Sequence, residues 1–317
     1  MILSIIIPLK IDGDRDHLSL LKQTLEEVKP FSSSIELIIS IHDLLENKEK
    51  YQNLQTLSEV QFIYTNQKKE RPFNLSLARN RGAQKAKGKF LFFKDIDLLS
   101  PKKFYKNLLK DIAINEFLSK ETRFYTFPVL SLNQIDSEKI IDTRMSKDPL
   151  FWINVYHTKP DRLFDHYPVS SALLLHKKNF FAVGQYDEIF EGWGAEDHDL
   201  YIRLLLKDTA FKKSAFFFSF LRMRYENMIF NYGWRSQLKR YGEMCFQKNL
   251  FLFHIWHKTG YRRVRNSNNI DHMHKKIKQY KKEKIACVYD YPGQKRKSLI
   301  FILLKVFFNR LACMIRL

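Results

Sequence analysis

Several whole classes of protein are excluded by what this chain lacks. It has three cysteines in 317 residues, and Cys245, Cys287 and Cys313 stand far apart, with no Cys-x-x-Cys pair and no regular ladder. That pattern excludes a disulfide framework and a zinc knuckle, and it fits a reducing compartment. The opening Met1-Ile2-Leu3-Ser4-Ile5-Ile6-Ile7-Pro8 is apolar, but no basic segment precedes it and no small-residue cleavage site follows. No signal peptide is therefore read, and a cytoplasmic location is expected. Internal repeats and Gly/Ser-rich linkers are missing, as are helix-turn-helix, zinc-finger and aromatic RNA-binding signatures. Hydrophobic residues at 45% and charged residues at 28% exclude a disordered chain. The length suits one large domain, or one domain with a sizeable extension.

Negative charge is the other shortage. Lys and Arg number 54 against 34 Asp and Glu, a formal net charge of +20. Such a field favours anionic partners: nucleic acid, an anionic membrane surface or phosphate-bearing substrates. The excess gathers late, in Lys275, Lys276, Lys278, Lys281, Lys282, Lys284, Lys295, Arg296 and Lys297, just before Leu299-Ile300-Phe301-Ile302-Leu303-Leu304. Lys305, Arg310 and Arg316 make the segment a poor transmembrane span. On a helix, Ser298, Lys305, Asn309 and Arg316 share one narrow stripe with apolar residues around the rest. Two readings stand: an in-plane attachment to the anionic inner membrane, or a helix packed on the protein's own core. The composition shift near His272 sets the expected boundary between residues 1–271 and a tail of 272–317.

Periodicity organises the first hundred residues. Buried strands are predicted at 2–8 and Ile35–Ile41, further strands at Val60–Tyr64 and Lys89–Lys94, and helices at Leu18–Val28, Leu44–Leu57 and Asn74–Ala86, the last stopped by Gly88. Alternating strands and helices imply a mostly parallel α/β sheet, whose ligands sit beyond the carboxyl ends of the strands. Further on, Phe124–Val129, Ser171–His176 and Leu250–Trp256 read as strands and Ala195–Lys207 as a helix.

Three strings carry chemistry. Asp95-Ile96-Asp97 leaves a predicted strand. Two carboxylates one residue apart can turn toward one hard cation, Mn2+ or Mg2+, that keeps open positions for diphosphate oxygens. The bland reading is a solvated loop. Glu191-Gly192-Trp193-Gly194-Ala195-Glu196-Asp197 places an indole between two glycines, as a platform for a sugar face, and two carboxylates behind it. Those carboxylates read either as a general base with an acceptor-binding group or as an acidic first helical turn favoured by the helix dipole. In His254-Ile255-Trp256-His257 the local pattern looks extended, so at most one histidine should reach a given metal.

Arg71-Pro72-Phe73-Asn74-Leu75-Ser76-Leu77-Ala78-Arg79-Asn80-Arg81-Gly82-Ala83 through Asp95-Ile96-Asp97 resembles GT-A-fold glycosyltransferases of the family 2 type. Glu191 to Asp199 resembles the Gly-Trp-Gly-x-Glu-Asp element of the galactosyltransferase and chondroitin-polymerase branch, and Ile5-Ile6-Ile7-Pro8 is similar to the first strand of that fold. The resemblance covers about residues 1 to 270, with 1–100 as the nucleotide-binding half and 101–271 as the acceptor-binding half.

It implies that Asp95 and Asp97 bracket the metal on the donor diphosphate, Asp97 as the direct ligand, with His257 and His254 as further metal positions. Asp197 would be the catalytic base and Glu196 an acceptor contact, with Trp193 and Gly194 lining the acceptor pocket. Pro8, Lys10, Phe73, Asn74, Arg79, Asn80, Asp95 and Ile96 would meet the nucleotide. Where relatives carry paired aspartates this chain has Ser40-Ile41-His42-Asp43, which leaves Asp43 as the stand-in. The function expected is inverting transfer from a UDP-sugar, UDP-galactose or UDP-N-acetylgalactosamine, to a glycan or lipid-linked glycan of a bacterial capsule or lipopolysaccharide. A basic nucleic-acid-binding protein would leave both acidic clusters without a purpose, so no nucleic-acid partner is expected. A degenerate assembly subunit conflicts with the intact acidic motifs.

Overall fold

The computed structural model describes residues 1–10, 17–41, 60–65, 73–143, 163–167, 170–208, 217–218, 233–257 and 267–282. The helix expected at 44–57, Asp43, Arg71, Pro72 and the tail from 283 onward lie outside them.

In the first half, β1 (Leu3–Leu9), α1 (His17–Val28), β2 (Ile35–Ile41), β3 (Val60–Tyr64), α2 (Leu75–Lys85) and β4 (Phe90–Phe93) fall within a residue or two of the positions predicted for them. There follow β5 (Leu98–Leu99), α3 (Phe104–Ile114), α4 (Glu116–Ser119), β6 (Phe124–Thr126), β7 (Val129–Leu132) and α5 (Gln134–Thr143). The last third comprises β8 (Leu163–Tyr167), β9 (Leu173–His176), α6 (Lys177–Ala182), α7 (Glu196–Lys207), α8 (Gly233–Gln247), β10 (Leu252–His254) and α9 (Ser267–Lys282).

Six strands form the main sheet in the order β3-β2-β1-β4-β9-β6. The pairs β1–β2, β2–β3 and β1–β4 are parallel, while β9 runs antiparallel to both neighbours, so the sheet is mixed and parallel in its first half. Strand order reverses at β1, where β2 lies on one side and β4 on the other. That switch point is where ligands of open α/β sheets bind. Pro8 fits the middle of the sheet because β4 pairs only up to Ile6, so the N–H that proline lacks is not called for.

The sheet buries both faces, which is why β1 is a continuous apolar run. Leu3, Ile5, Ile7 and Leu9 enter one core with Leu21 and Leu25 of α1, and Tyr105 and Leu108 of α3. Ile6 enters the other, with Phe93, α7, Trp234 and Tyr241 of α8, and Met273, Ile277 and Tyr280 of α9. Each of these isoleucines contributes about 1.5–3 kcal/mol by burial. Gly82 lets α2 lie close on β1, since a Cβ there would come within 2.5 Å of Ile6 Cγ2.

Three expectations change. The run Phe124–Val129 divides at Phe127-Pro128 into β6 in the main sheet and β7 in a second sheet of order β5-β10-β7-β8. Proline interrupts the ladder there, and the chain crosses from one sheet to the other. The strand expected at 250–256 shortens to Leu252–His254. The boundary drawn at His272 falls inside α9, whose Met273, Ile277 and Tyr280 are core residues; composition shifts at 272, but burial continues through residue 280. Among the described residues no helix is long and apolar enough to cross a membrane.

Candidate active site

Asp95 and Asp97 leave β4 beside the carboxyl end of β1, at the switch point. The two carboxylates part company there. Asp97 is largely buried, and its Oδ2 lies 3.3 Å from His257 Nε2 and 3.6 Å from His254 Nε2. Ligand atoms of these three residues lie within 4.8 Å of one another. Backbone pairing produces the convergence. His254 sits opposite Leu98 in the antiparallel β5–β10 pair, and the Ile255 N–H donates to the Asp97 carbonyl at 3.0 Å. The strand has ended by then, so the chain turns and brings His257 to the same side as His254. The expectation that only one histidine could reach a metal assumed an extended run through residue 256, and the early end of β10 overturns it. One carboxylate and two imidazoles fit a divalent cation of intermediate hardness such as Mn2+ better than Mg2+, which prefers an all-oxygen shell.

Asp95 faces elsewhere. Ser171 Oγ donates to its Oδ2 at 2.9 Å, and Arg79 Nη2 lies 3.1 Å from its Oδ1. Arg79 is buried, stacks over Tyr186 at 5.0 Å, and places Nη1 3.3 Å from Glu196 Oε1. One guanidinium thus ties the Asp-x-Asp loop to the start of α7. Ile96 packs into the core, so its side chain faces away from any ligand. Lys94, directly before the pair, is withdrawn from solvent. It is buried with Nζ 3.5 Å from Thr24 Oγ1, beside Glu27 of α1. Burial pushes the Glu27 carboxyl up to about 7 against the opposing charge of Lys94, and pushes Lys94 down.

The Gly-Trp-Gly segment is held from three directions. The Gly192 N–H donates to the Phe73 carbonyl, the Gly194 N–H to Glu196 Oε2 at 3.1 Å, and Asn269 Nδ2 to the carbonyls of Glu191 and Gly194, both at 2.9 Å. Gly192 has φ 71°, Gly194 φ 114° and Ala195 φ 73°, so three of four consecutive residues are left-handed. Ala195 has a Cβ, and its conformation costs about 1–3 kcal/mol. Between them the Trp193 ring remains 44% exposed. Glu196 is buried, and its carboxyl is pushed up to about 7 by burial and by the charge of Asp197, against the pull of Arg79. Asp197 is half-exposed and accepts from the His198 N–H at 2.8 Å.

Two residues expected at the nucleotide instead spend polar atoms on the protein. Asn74 caps α2 by accepting from the Leu77 N–H at 2.9 Å, and its Nδ2 donates to the Glu188 carbonyl at 2.8 Å. Asn80 donates to the Tyr186 carbonyl and Glu188 Oε1 and accepts from the Tyr186 N–H. Buried amides need such partners. Phe73 is half-buried, and Lys10 is exposed at the end of β1. Sequence reasoning missed Ser171, Tyr186, Asn269 and Arg235. The Gly233-Trp234-Arg235 string, which repeats the Gly-Trp of the other loop, is the one signal that could have found Arg235.

A family model described as glycosyltransferase like family 2 matches residues 4–284, and the chain belongs to that family. No curated protein matches the chain. Among solved structures it is similar to residues 1–349 of TarS from S. aureus, at 16% identity and TM-score 0.39, over 65% of this chain and 56% of that one. It is similar to GalNAc-T7 with UDP, GalNAc and Mn2+ at 20% identity and TM-score 0.41, over 64% of this chain and 40% of that one. The mannosyltransferase PcManGT from Pyrobaculum calidifontis, with GDP-Man and Mn2+, is similar at 12% identity and TM-score 0.37, over 64% and 52%. The chain thus spans about half the length of these structures.

Proposed function

We propose that the chain transfers a sugar from a uridine diphosphate donor, UDP-galactose or UDP-N-acetylgalactosamine, to a hydroxyl of a glycan or lipid-linked glycan with inversion at the anomeric carbon. The observation that carries this reading is the meeting of two acidic groups at one end of the sheet, Asp97 with His254 and His257, and Glu196 with Asp197, joined by Arg79. Asp97, His254 and His257 would hold a divalent cation, Mn2+ in preference to Mg2+, whose positive charge would offset that of a departing diphosphate. Asp95 stays with Arg79 and Ser171 and fixes the loop from which Asp97 projects. Trp193 offers its exposed ring to the acceptor sugar, and Asp197 takes the acceptor proton. As the hydroxyl oxygen bonds to the anomeric carbon, the bond from that carbon to the diphosphate oxygen breaks, and the nucleoside diphosphate leaves with the electron pair. No covalent nucleophile is required.

Thermal stability against a panel of UDP, UDP-sugars and GDP, with and without Mn2+, tests the donor side without a known acceptor. A ligand that binds the native state at a hundredfold excess over its Kd adds about 2.7 kcal/mol. The expected result is a Mn2+-dependent upward shift with UDP or one UDP-sugar, abolished by chelation and in Asp97→Ala. A shift that survives Asp97→Ala would sink the assignment of Asp97.

A capsule or lipopolysaccharide glycan as product, and contact of residues 298–317 with the anionic inner membrane, belong to the same proposal. Sedimentation with anionic vesicles should fall when 298–317 are deleted, and unchanged sedimentation would refute that contact.

A further inference from the structure

Arg235 stands in the first turn of α8, beside the acidic start of α7, where it touches His198. A cation at the amino end of a helix meets the positive end of the helix dipole, the unfavourable arrangement. Arg235 forms no ion pair among the described residues. Asp197 is near enough to favour its charge, yet the Asp197 carboxylate accepts from the His198 N–H instead. One Nη2 of Arg235 lies 3.3 Å from His198 Nδ1 and 3.2 Å from His198 Nε2. These nitrogens point in different directions, so at most one accepts from it. The guanidinium also stacks on Trp234, at 4.9 Å from the ring.

Two donors here are buried and find no acceptor among the described residues, Arg235 Nε and Trp234 Nε1. Trp234 is 1% exposed, and its ring lies 5.1 Å from that of His198. A part-buried guanidinium with most of its donors unspent, beside an orphaned indole N–H, calls for a ligand rich in acceptor oxygens and negative in charge. Burial holds the Arg235 pKa below its ordinary value, against the pull of Asp197, so the cation gains most from an anion brought to it.

We propose that Arg235, with Trp234 and His198, forms a subsite for an oxyanion carried by the acceptor, either the carboxylate of an acidic sugar or the phosphate of a phosphorylated one. The word acceptor rests on the transferase reading above; the anion site rests on the geometry alone. A guanidinium presents parallel N–H groups that match either oxyanion bidentately, whereas neutral sugars offer no such partner. Position beside Asp197 places the anion next to the hydroxyl that would be activated. The net charge of +20 draws such a ligand in from solution. A basic chain with two acidic clusters at its site thus has a use for both signs.

The test uses the full chain with UDP and Mn2+ present, and titration calorimetry with three β-linked disaccharides ending in glucuronate, 6-phosphoglucose or glucose. One acidic probe should bind at least about tenfold tighter than the neutral one, and the tighter of the two identifies the anion. Arg235→Gln should erase that preference while the nucleotide shift persists, and Arg235→Lys should keep part of it. Equal binding of acidic and neutral probes by the native chain overturns the proposal, as does a preference that survives Arg235→Gln. Should Arg235→Gln lower the melting temperature, the native panel and Arg235→Lys decide on the same terms. Loss of every nucleotide shift with the acidic preference intact would remove the transferase reading and leave the anion site. A nucleotide shift without acidic preference would do the reverse.

Discussion

Asp97, His254 and His257 reach one point from two distant stretches of chain, and main-chain bonds bring them there: the β5–β10 pair and the Ile255-to-Asp97 hydrogen bond. Residues 186–199 are built the other way. They form one continuous stretch whose carbonyls, amides and carboxylates are tied to Phe73, Asn74, Asn80, Arg79 and Asn269 by side-chain and backbone bonds. The first region assembles ligand atoms and leaves them facing a common centre. The second is already stapled, with the Trp193 ring exposed and Asp197 part-exposed upon it. The difference suits an exchangeable cation on one side and a rigid sugar platform on the other. Arg79 links the two, bonding to Asp95 of the Asp-x-Asp loop and to Glu196.

Breaking the second region at its chemical end should have the largest effect. Asp197→Asn keeps shape but loses the proton acceptor, so kcat should fall by about 10²–10⁴ with the nucleotide-dependent melting shift retained. Near-normal transfer by this variant would refute the assignment of the base.

Cutting the link comes next. Arg79→Met leaves Glu196 buried without its cation, and a loss of about 3 kcal/mol in denaturant unfolding is expected. A midpoint like that of the native chain would mean that Arg79 does not join the two regions energetically.

The smallest effect is a slope. Glu196 is pushed from 4.5 up to about 7, chiefly by burial and then by Asp197. Between those pH values the folded chain holds a proton that the unfolded chain has released, so the contribution of Glu196 to stability declines as pH rises through that window. Glu196→Gln should flatten the dependence of melting temperature on pH there. In Arg79→Met the window should extend upward, because the guanidinium opposes the rise. Identical slopes in all three proteins would show that Glu196 titrates normally.

Much of the frame was legible beforehand. β1 and β2 were read as buried strands from their apolar, β-branched runs, because a strand covered on both faces admits little else. α2 was read from small residues at helical spacing, with Gly88 as its stop. The Asp-x-Asp and Trp-Gly-x-Glu-Asp strings marked the two ends of the site. Less legible was where each side chain points. Asn74, Arg79 and Asn80 look in sequence like ligand-facing residues, but all three turn to residues 186–196, more than a hundred positions away. His254 and His257 looked incompatible because the end of β10 is set by its neighbours β5 and β7 rather than by its own composition. The composition shift at 272 misled as well, since the exposed face of α9 is basic while its other face is core.

Sequence by itself determined the periodic elements, the mostly parallel first half of the sheet and the identity of the acidic strings, because these depend on local alternation and on residue chemistry. Tertiary structure alone decided that Asp95 turns to Arg79 and Ser171 while both histidines stand beside Asp97, that one buried arginine spans the site, and that Arg235 stands beside Asp197 with no carboxylate partner among the described residues. Each of those depends on which distant backbone lies alongside, and pairing between strands and helices far apart in the chain leaves no periodic trace in either segment.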